Sequence, residues 1–517
     1  MSCTTLLDTG FNSKINNNHD YTVLHTAVTL QDSNLLSQLL DYGLDPNIKD
    51  KNGRTALHLA VKIGNNDLIS LLLDHGANPN IQDNEGYTAL YKVNLYRKTD
   101  VVSQLLLQLL NHGADPNIQN GNGNTILHSA VFTENNDLIS QLLDHGTDPN
   151  IQDLEYCTAF HEAVKIGHVR TTSLFLDHGA DPDIQCCCGG TALHSAVAFL
   201  HSEVVLQLLD YGVNLNIKDE LGNTALHTAV ESRLGNMPTL IINKLLDYGI
   251  DVNIQNRDGR TALHLAVIGK HSSIITMLLD YNIDINIQDK HGYTALHLAV
   301  GNGSKNIQQL LNHDADPNIK NNKDCTPLDE TLESGYREIV TQLLNHVTDL
   351  NMHIKDDHRV LHLAVKLGDS NIVSQLIDRG IDPNIKSKDG RTALHEAAKY
   401  GQHRVFLRLL NHRADPKIKD NNGCTALHEA AAFGDSDIVA KLLDNNIDAD
   451  ILNKYGCTAL HLAANYGHDN IVSQLLDHGV NSEIKNKDDL TALNLAGQKG
   501  HSRIFLQLLT ASRNGAV

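Results

Sequence analysis

The sequence predicts an all-α dominated repeat solenoid of stacked helix-turn-helix-hairpin units, and three observations carry that prediction. A phrase returns about every 33 residues, clearest as Gly-Arg-Thr-Ala-Leu-His-Leu-Ala at 53–60 and again at 259–266. Its Thr slot falls at Thr22, Thr55, Thr88, Thr125, Thr158, Thr191, Thr224, Thr261, Thr294, Thr326, Arg359, Thr392, Thr425, Thr458 and Thr491, with most steps 33, two 37 and one 32. A second phrase, Leu-Leu-Asp-His-Gly-Ala-Asn-Pro-Asn-Ile-Gln-Asp at 72–83, recurs downstream, so whole units repeat and not only their openings. A unit of this size cannot bury two helices alone and gains its stability by stacking on neighbours.

Each element of one unit has a local cause. Thr55 is placed to cap a first helix, because its hydroxyl can accept from a backbone N–H that the first turn leaves unpaired. Leu57, Ala60 and Val61 follow at helical spacing, and Gly64 stops the helix before Asn66 and Asp67 open a second one. Leu68, Ile69, Leu72 and Leu73 give that second helix one apolar face. Gly76 breaks it, and Asn78-Pro79-Asn80 through Glu85-Gly86 supply turn chemistry for an extended hairpin.

The phrase and its period resemble the ankyrin repeat, and the resemblance covers nearly all of the 517 residues. The organisation read from it is a partial repeat over 1–21, an array of about fifteen units over 22–509 and a short polar tail over 510–517. Leu7-Asp8-Thr9-Gly10 aligns with Leu73-Asp74-His75-Gly76, so the chain is expected to begin inside a repeat, whether as a minimal cap or as the scar of a longer array. Four extra residues lie around Leu95 to Asp100 and around Leu234 to Thr239, where they should lengthen the helix-joining loop or the second helix. Over 326–360 the phrase degrades, with Asp329 in the His slot and Arg359 in the Thr slot, and a soft joint is expected there.

Composition narrows the function. Forty-one basic residues against 61 acidic ones leave a net charge of −20, a poor match for a phosphate backbone or an anionic leaflet, so no nucleic-acid partner is expected. No apolar run approaches the roughly 18–20 residues that span a bilayer, and the start of the chain lacks a basic segment followed by an apolar one. A cytoplasmic chain without membrane insertion is expected, a monomer, with export into a host cell open without a classical signal peptide. Four of the eight cysteines, Cys157, Cys325, Cys424 and Cys457, share the slot before the Thr, which elsewhere varies freely, so free thiols are expected rather than disulfides.

Motifs that would carry catalysis or metal fail on inspection. The His of the phrase recurs from His25 to His461 one per layer, whereas ligands of one site must converge within about 2–2.1 Å of the metal. The resemblance instead implies that this His bonds the hairpin and the helix start. His161-Glu162, His395-Glu396 and His428-Glu429 begin a zinc-protease motif, but Lys165, Lys399 and Ala432 stand where its second His belongs. Asp314-x-Asp316-x-Asn318 begins a calcium loop and then has Ile319 in place of Gly and Cys325 in place of Glu. Gly121-Asn122-Gly123 and Gly301-Asn302-Gly303 lack the Lys-Ser/Thr ending of a phosphate loop. Cys186-Cys187-Cys188 reads as an exposed loop, with a redox-sensitive patch as the other reading. No enzyme, cofactor or metal is expected.

Partner choice must then live in slots that vary while remaining exposed. One is the residue before the Thr, on the hairpin. The other is the residue after the His, on the first helix. The resemblance places both on the concave side, the usual partner groove of ankyrin proteins, and Tyr and Arg are frequent interface anchors. Two windows are selected: Arg54, Leu59, Tyr87 and Lys92, and Arg260, Leu265, Tyr293 and Leu298. Asn47, Asn80, Asn117, Asn150, Asn253 and Asn286 resemble positions hydroxylated in some ankyrin proteins, and turn stabilisation is the plainer reading.

The expected function is a non-enzymatic scaffold that binds partner proteins through the concave face. Its near-identical repeats and bias toward Asn, Ile and Asp look like ankyrin proteins of intracellular bacteria or large DNA viruses, which implies a host-directed effector. The alternative is a structural or self-associating array with no foreign target.

Overall fold

The repeat phrase folds as the helix signals require. In the computed structural model, residues 22–95, 99–232, 237–346, 358–445 and 447–514 are described. The partial repeat over 1–21, the centre of the degraded stretch at 347–357 and the last residues of the tail, 515–517, lie outside them.

In the second repeat Thr55 is extended and caps the helix Ala56–Ile63, in a capping box with His58. Gly64 ends that helix in the left-handed region at φ 76°. The second helix, Asn66–Asp74, is capped by Asn65, whose side chain accepts from the Leu68 N–H. It buries Leu68, Ile69, Leu72 and Leu73 against the first helix, and Gly76 closes it with N–H bonds running back to Leu73 and, from Ala77, to Leu72. Other repeats copy this plan, as in Ala159–Ile166 with Val169–Asp177 and Ala426–Phe433 with Ser436–Asp444.

The expected extended hairpin is a tight turned loop. Among the described residues the one β-bridge is Gln152 with Thr158. In the loop of the second repeat, the Asp50 N–H donates to Arg54 O at 2.8 Å, and Asp50 Oδ1 accepts from the Asn52 and Arg54 N–H groups. Its tip then bonds the next one, Asn84 N–H to Asn52 O at 2.9 Å, and the same link recurs as Gly121 to Glu85 and Lys454 to Asn422. This stacking explains the tip glycine. A Cβ on Gly86, at φ 83°, would lie 2.5 Å from the Gly121 nitrogen.

The extra residues go at least partly into the second helix: Thr99–Asn111 has 13 residues and Met237–Asp247 has 11, against nine in Asn66–Asp74. Residues 96–98 and 233–236 lie outside the description. Despite its degraded phrase, the tenth repeat forms Pro327–Ser334 and Arg337–His346, with Asp329 completing the capping box of Thr326.

Two compact units result, Met1–Ile283 and Asp284–Val517. Within each, first helices pack on first helices and second helices on second helices of the neighbouring repeats. Each unit is an all-α repeat solenoid whose core is a thin series of Ala, Val, Leu and Ile layers.

Candidate protein-interaction face

Framework residues account for the histidines. In the neutral ring of His58, Nδ1 accepts from the Thr55 N–H at 3.0 Å, which leaves the proton on Nε2 to be donated to Tyr87 O of the next repeat at 3.0 Å. The same bridge joins His128 to Cys157, His395 to Cys424 and His428 to Cys457. Burial lowers the pKa of these rings, that of His428 from 6.5 to about 4. A protonated Nδ1 could no longer accept the Thr amide, so the neutral form is the structural one.

The asparagines are also inter-repeat links rather than only turn formers. Asn80 Nδ2 donates to Gly113 O at 2.9 Å, and its Oδ1 accepts from the Asp115 N–H at 2.7 Å. Asn150 does the same toward Gly179 and Asp181.

Against this framework the front window is only partly exposed. Arg54 is folded back on its own loop, with Nη2 2.8 Å from Asp50 Oδ2. Burial alone would raise the Asp50 carboxyl, but the Arg54 guanidinium and backbone N–H bonds outweigh it and hold the pKa below its ordinary value. Tyr87 and Lys92 meet, the ammonium 4.8 Å from the ring centroid, and Lys92 also lies 3.5 Å from Asp83. Leu59 does not offer the surface expected of it. It is 7% exposed, because first helices of both flanking repeats pack against Ala56–Ile63 and cover a short apolar chain in that slot.

The middle window divides between the two units. In the first, Arg260 is half-buried with Nη1 3.6 Å from Asp258, and Leu265 is buried at 9% exposure, again contrary to the expected exposure. In the second, Tyr293 and Leu298 are half-buried, and the Tyr293 ring meets His297 edge-on at 5.8 Å. Tyr293 also hydrogen-bonds Glu330, the residue after the His slot in the next repeat.

At Tyr293 the residue before the Thr thus reaches the residue after the His one repeat on, and the same pairing occurs at one other position. It is strongest at Arg391, whose Nη2 lies 2.7 Å from Glu429 Oε1, with Glu396 at 3.5 Å and Asp420 at 3.7 Å. Burial alone would lower the Arg391 pKa, and the three carboxylates raise it instead. Burial likewise pushes the Glu429 carboxyl up and the Cys424 thiol up to about 11. Asp420, Cys424 and Glu429 bring ligand-type atoms within 4.8 Å of one another, but the guanidinium already engages both carboxylates and the thiol holds its proton, so the set suits a cationic side chain better than a metal.

A further row escaped the sequence reading. Tyr400, Phe433 and Tyr466, at the end of three successive first helices, are 44%, 53% and 57% exposed. Their signal was an aromatic residue directly before the glycine in Lys-Tyr-Gly, Ala-Phe-Gly and Asn-Tyr-Gly.

Each unit is therefore a repeat protein whose fixed side chains bind one another and whose variable ones gather along the loop and first-helix edge. The chain belongs to the ankyrin repeat family: the family model described as ankyrin repeats (3 copies) matches residues 24–120, 62–153, 94–186, 127–219, 160–255, 212–289, 235–321, 286–356, 361–453 and 427–516. Ankyrin repeats are in general protein-protein interaction modules, and the family is typically non-enzymatic. Among solved structures the chain is similar to the ankyrin repeat domain of Bcl-3, described as a unique member of the IkappaB protein family, with 28% identity over 44% of this chain and 98% of that one and a TM-score of 0.39. No curated protein matches. No described helix is long and apolar enough to cross a membrane.

Proposed function

We propose that the chain is a non-enzymatic, monomeric scaffold that takes a partner protein on the edge formed by the loop tips and first helices, the concave face of an ankyrin array. The observation that carries this reading is the coupling of the two variable slots across repeats, seen at Arg391 with Glu429 and at Tyr293 with Glu330. At these two positions side chains that differ from repeat to repeat meet across a repeat boundary, whereas framework residues are committed to each other. Arg54, Tyr87, Lys92, Arg260 and Tyr293 supply the contact groups, and Leu59, Leu265 and Leu298 back them. About 800 Å² per partner is a standard interface, which a few adjacent repeats can offer.

The composition shared with ankyrin proteins of intracellular bacteria and large DNA viruses supports a partner in the cytosol of a host cell. The test is cross-linking and affinity capture from host-type and own-type lysates. The native chain is compared with one carrying Arg54→Ala, Tyr87→Ala, Arg260→Ala and Tyr293→Ala. A specific partner lost only from the variant is the expected result. Capture unchanged by the substitutions, or cross-links solely between copies of this chain, overturns the reading.

A further inference from the structure

The run Cys186-Cys187-Cys188 occupies a loop tip whose backbone is fixed by bonds from the Cys186 N–H to Gly190 O at 3.0 Å and from the Gly189 N–H to Cys186 O at 2.8 Å. This turn puts the first and third side chains on one side. Cys186 Sγ and Cys188 Sγ lie 2.9 Å apart, while Cys187, exposed between them, anchors its N–H on Glu155 O of the preceding repeat. Two thiols at that separation need only side-chain rotation to reach the disulfide length of about 2.05 Å.

We infer that Cys186 and Cys188 are a dithiol-disulfide pair, oxidised within the chain by a small disulfide such as oxidised glutathione. Cys188 is the more exposed and meets the oxidant. It loses its proton and attacks one sulfur of the oxidant, forming a mixed disulfide and releasing one glutathione thiolate. Cys186, half-buried and adjacent, loses its proton and attacks the Cys188 sulfur, forming the protein S–S bond and releasing the second thiolate. Two electrons pass to the oxidant, and the two thiol protons end on the two released glutathiones.

Neighbouring thiols are poorer partners. Burial raises both the Cys157 thiol, to about 12, and the Cys186 thiol, so the pair is selected by the 2.9 Å approach of Cys188 Sγ to Cys186 Sγ. Cys187 is adjacent in sequence to both members of the pair, and the turn separates it from the shared side. The pair also sits at a gap in the variable row. Gly190 holds the slot before Thr191, and a Cβ there would be 3.4 Å from Cys188 Sγ and 3.9 Å from Cys186 Sγ. The sulfurs thus border the place that a side chain fills in other repeats, and oxidation changes the surface there.

The experiment equilibrates the full chain in glutathione buffers of graded redox ratio, quenches with acid, alkylates, and maps the peptide holding residues 186–188 by mass. The expected result is joint loss of Cys186 and Cys188 alkylation at one ratio, a peptide lighter by two hydrogens, and full reversal by a dithiol reductant. Cys187→Ser should keep this behaviour. Cys188→Ser should leave Cys186 alkylatable throughout. A glutathione adduct persisting on Cys188 in the native chain, different ratios for the two cysteines, or loss of the cross-link in Cys187→Ser overturns the assignment. Circular dichroism of each variant verifies the fold, and no partner protein enters the assay, so its outcome is independent of the scaffold reading.

Discussion

The imidazole of His201 lies where a side chain on Gly167 would have to go. Gly167 ends the first helix of the fifth repeat at φ 86°, and a Cβ built on it would be 2.6 Å from His201 Nδ1. His201 opens the second helix of the next repeat, and its Nε2–H donates to Lys165 O at 3.0 Å. Gly434 with His468 and Gly467 with His501 repeat the arrangement. Gly167→Ala is therefore expected to destabilise the first unit by about 1–3 kcal/mol, combining left-handed strain with displacement of the ring. Hydrogen exchange should show faster opening of Ala159–Ile166 and Ala192–Ala198, a local readout suited to an array that need not unfold in one step.

The left-handed region also yields a stabilising change. Tyr156 holds the loop-tip slot that is glycine in Gly53, Gly86 and Gly123, and it does so at φ 59°. It is largely exposed, at 62%. Tyr156→Gly should raise stability by about 0.5–1 kcal/mol, the strain relieved less the entropy that glycine loses. A lower thermal midpoint for the variant would show that the Tyr ring makes a compensating contact.

Acid should loosen the array through its bridging histidines. The folded pKa of His58, His128, His395 and His428 lies below the unfolded value of 6.5, so at lower pH the unfolded chain binds more protons at these rings than the folded one. Stability is full above about pH 6.5 and falls as pH drops, with the share of His428 exhausted near pH 4. Urea midpoints between pH 7.5 and 4 should fall along this curve. His428→Gln, which keeps a capping side chain, should lose stability at pH 7.5 and show a shallower decline. An unchanged slope would place the acid sensitivity elsewhere.

In the third repeat Tyr91 stands in the His slot, and its hydroxyl donates to Asn124 O of the next repeat. Burial raises its pKa. Tyr91 has no ring nitrogen to take the Thr88 amide, and the first helix of this repeat, Ala89–Leu95, is a 3-10 helix. Tyr91→Phe should cost about 1–3 kcal/mol by stranding the carbonyl, measured by denaturant unfolding. Equal stability would mean that water satisfies Asn124 O.

At the far end of the variable row, Arg391→Ala should leave Glu396, Asp420 and Glu429 facing one another. Burial already raises Glu429, and losing the opposing guanidinium should raise it further, visible as an upward move of its carboxyl titration by NMR. Arg391→Lys should restore part of the charge and not the fork geometry. A Glu429 titration indifferent to both changes would show that the contact at 2.7 Å is not held in solution.

Much of this was legible because the framework is written in periodic residues. Thr55, Leu57, Gly64 and Gly76 each act through local geometry, so spacing alone located the helices and their ends. The contacts between repeats were less accessible. Nothing in the phrase shows that His58 donates to Tyr87 O, or that Gly86 is needed because Gly121 comes so near, since both depend on the offset between layers. Leu59 and Leu265 were misjudged for the same reason: their slot varies, yet an apolar residue there is covered by neighbouring helices. The Arg391 cluster was missed because its members belong to two slots that meet only across a repeat boundary. Asn65 was passed over as a cap in favour of Asn66, one residue along.

The bridge from a phrase histidine has a direction, from one repeat to the loop of its successor, as at His58, His128 and His428. The stack consequently has a grain. Severing the stack between two repeats would strand the ring N–H of a histidine on the upstream face, while on the downstream face it would strand the loop-tip amide that had reached back, as Asn84 N–H reaches Asn52 O. Truncations from opposite ends should therefore orphan different groups, an imidazole N–H at one end and a loop-tip amide at the other, and a shortened array needs a separate remedy at each.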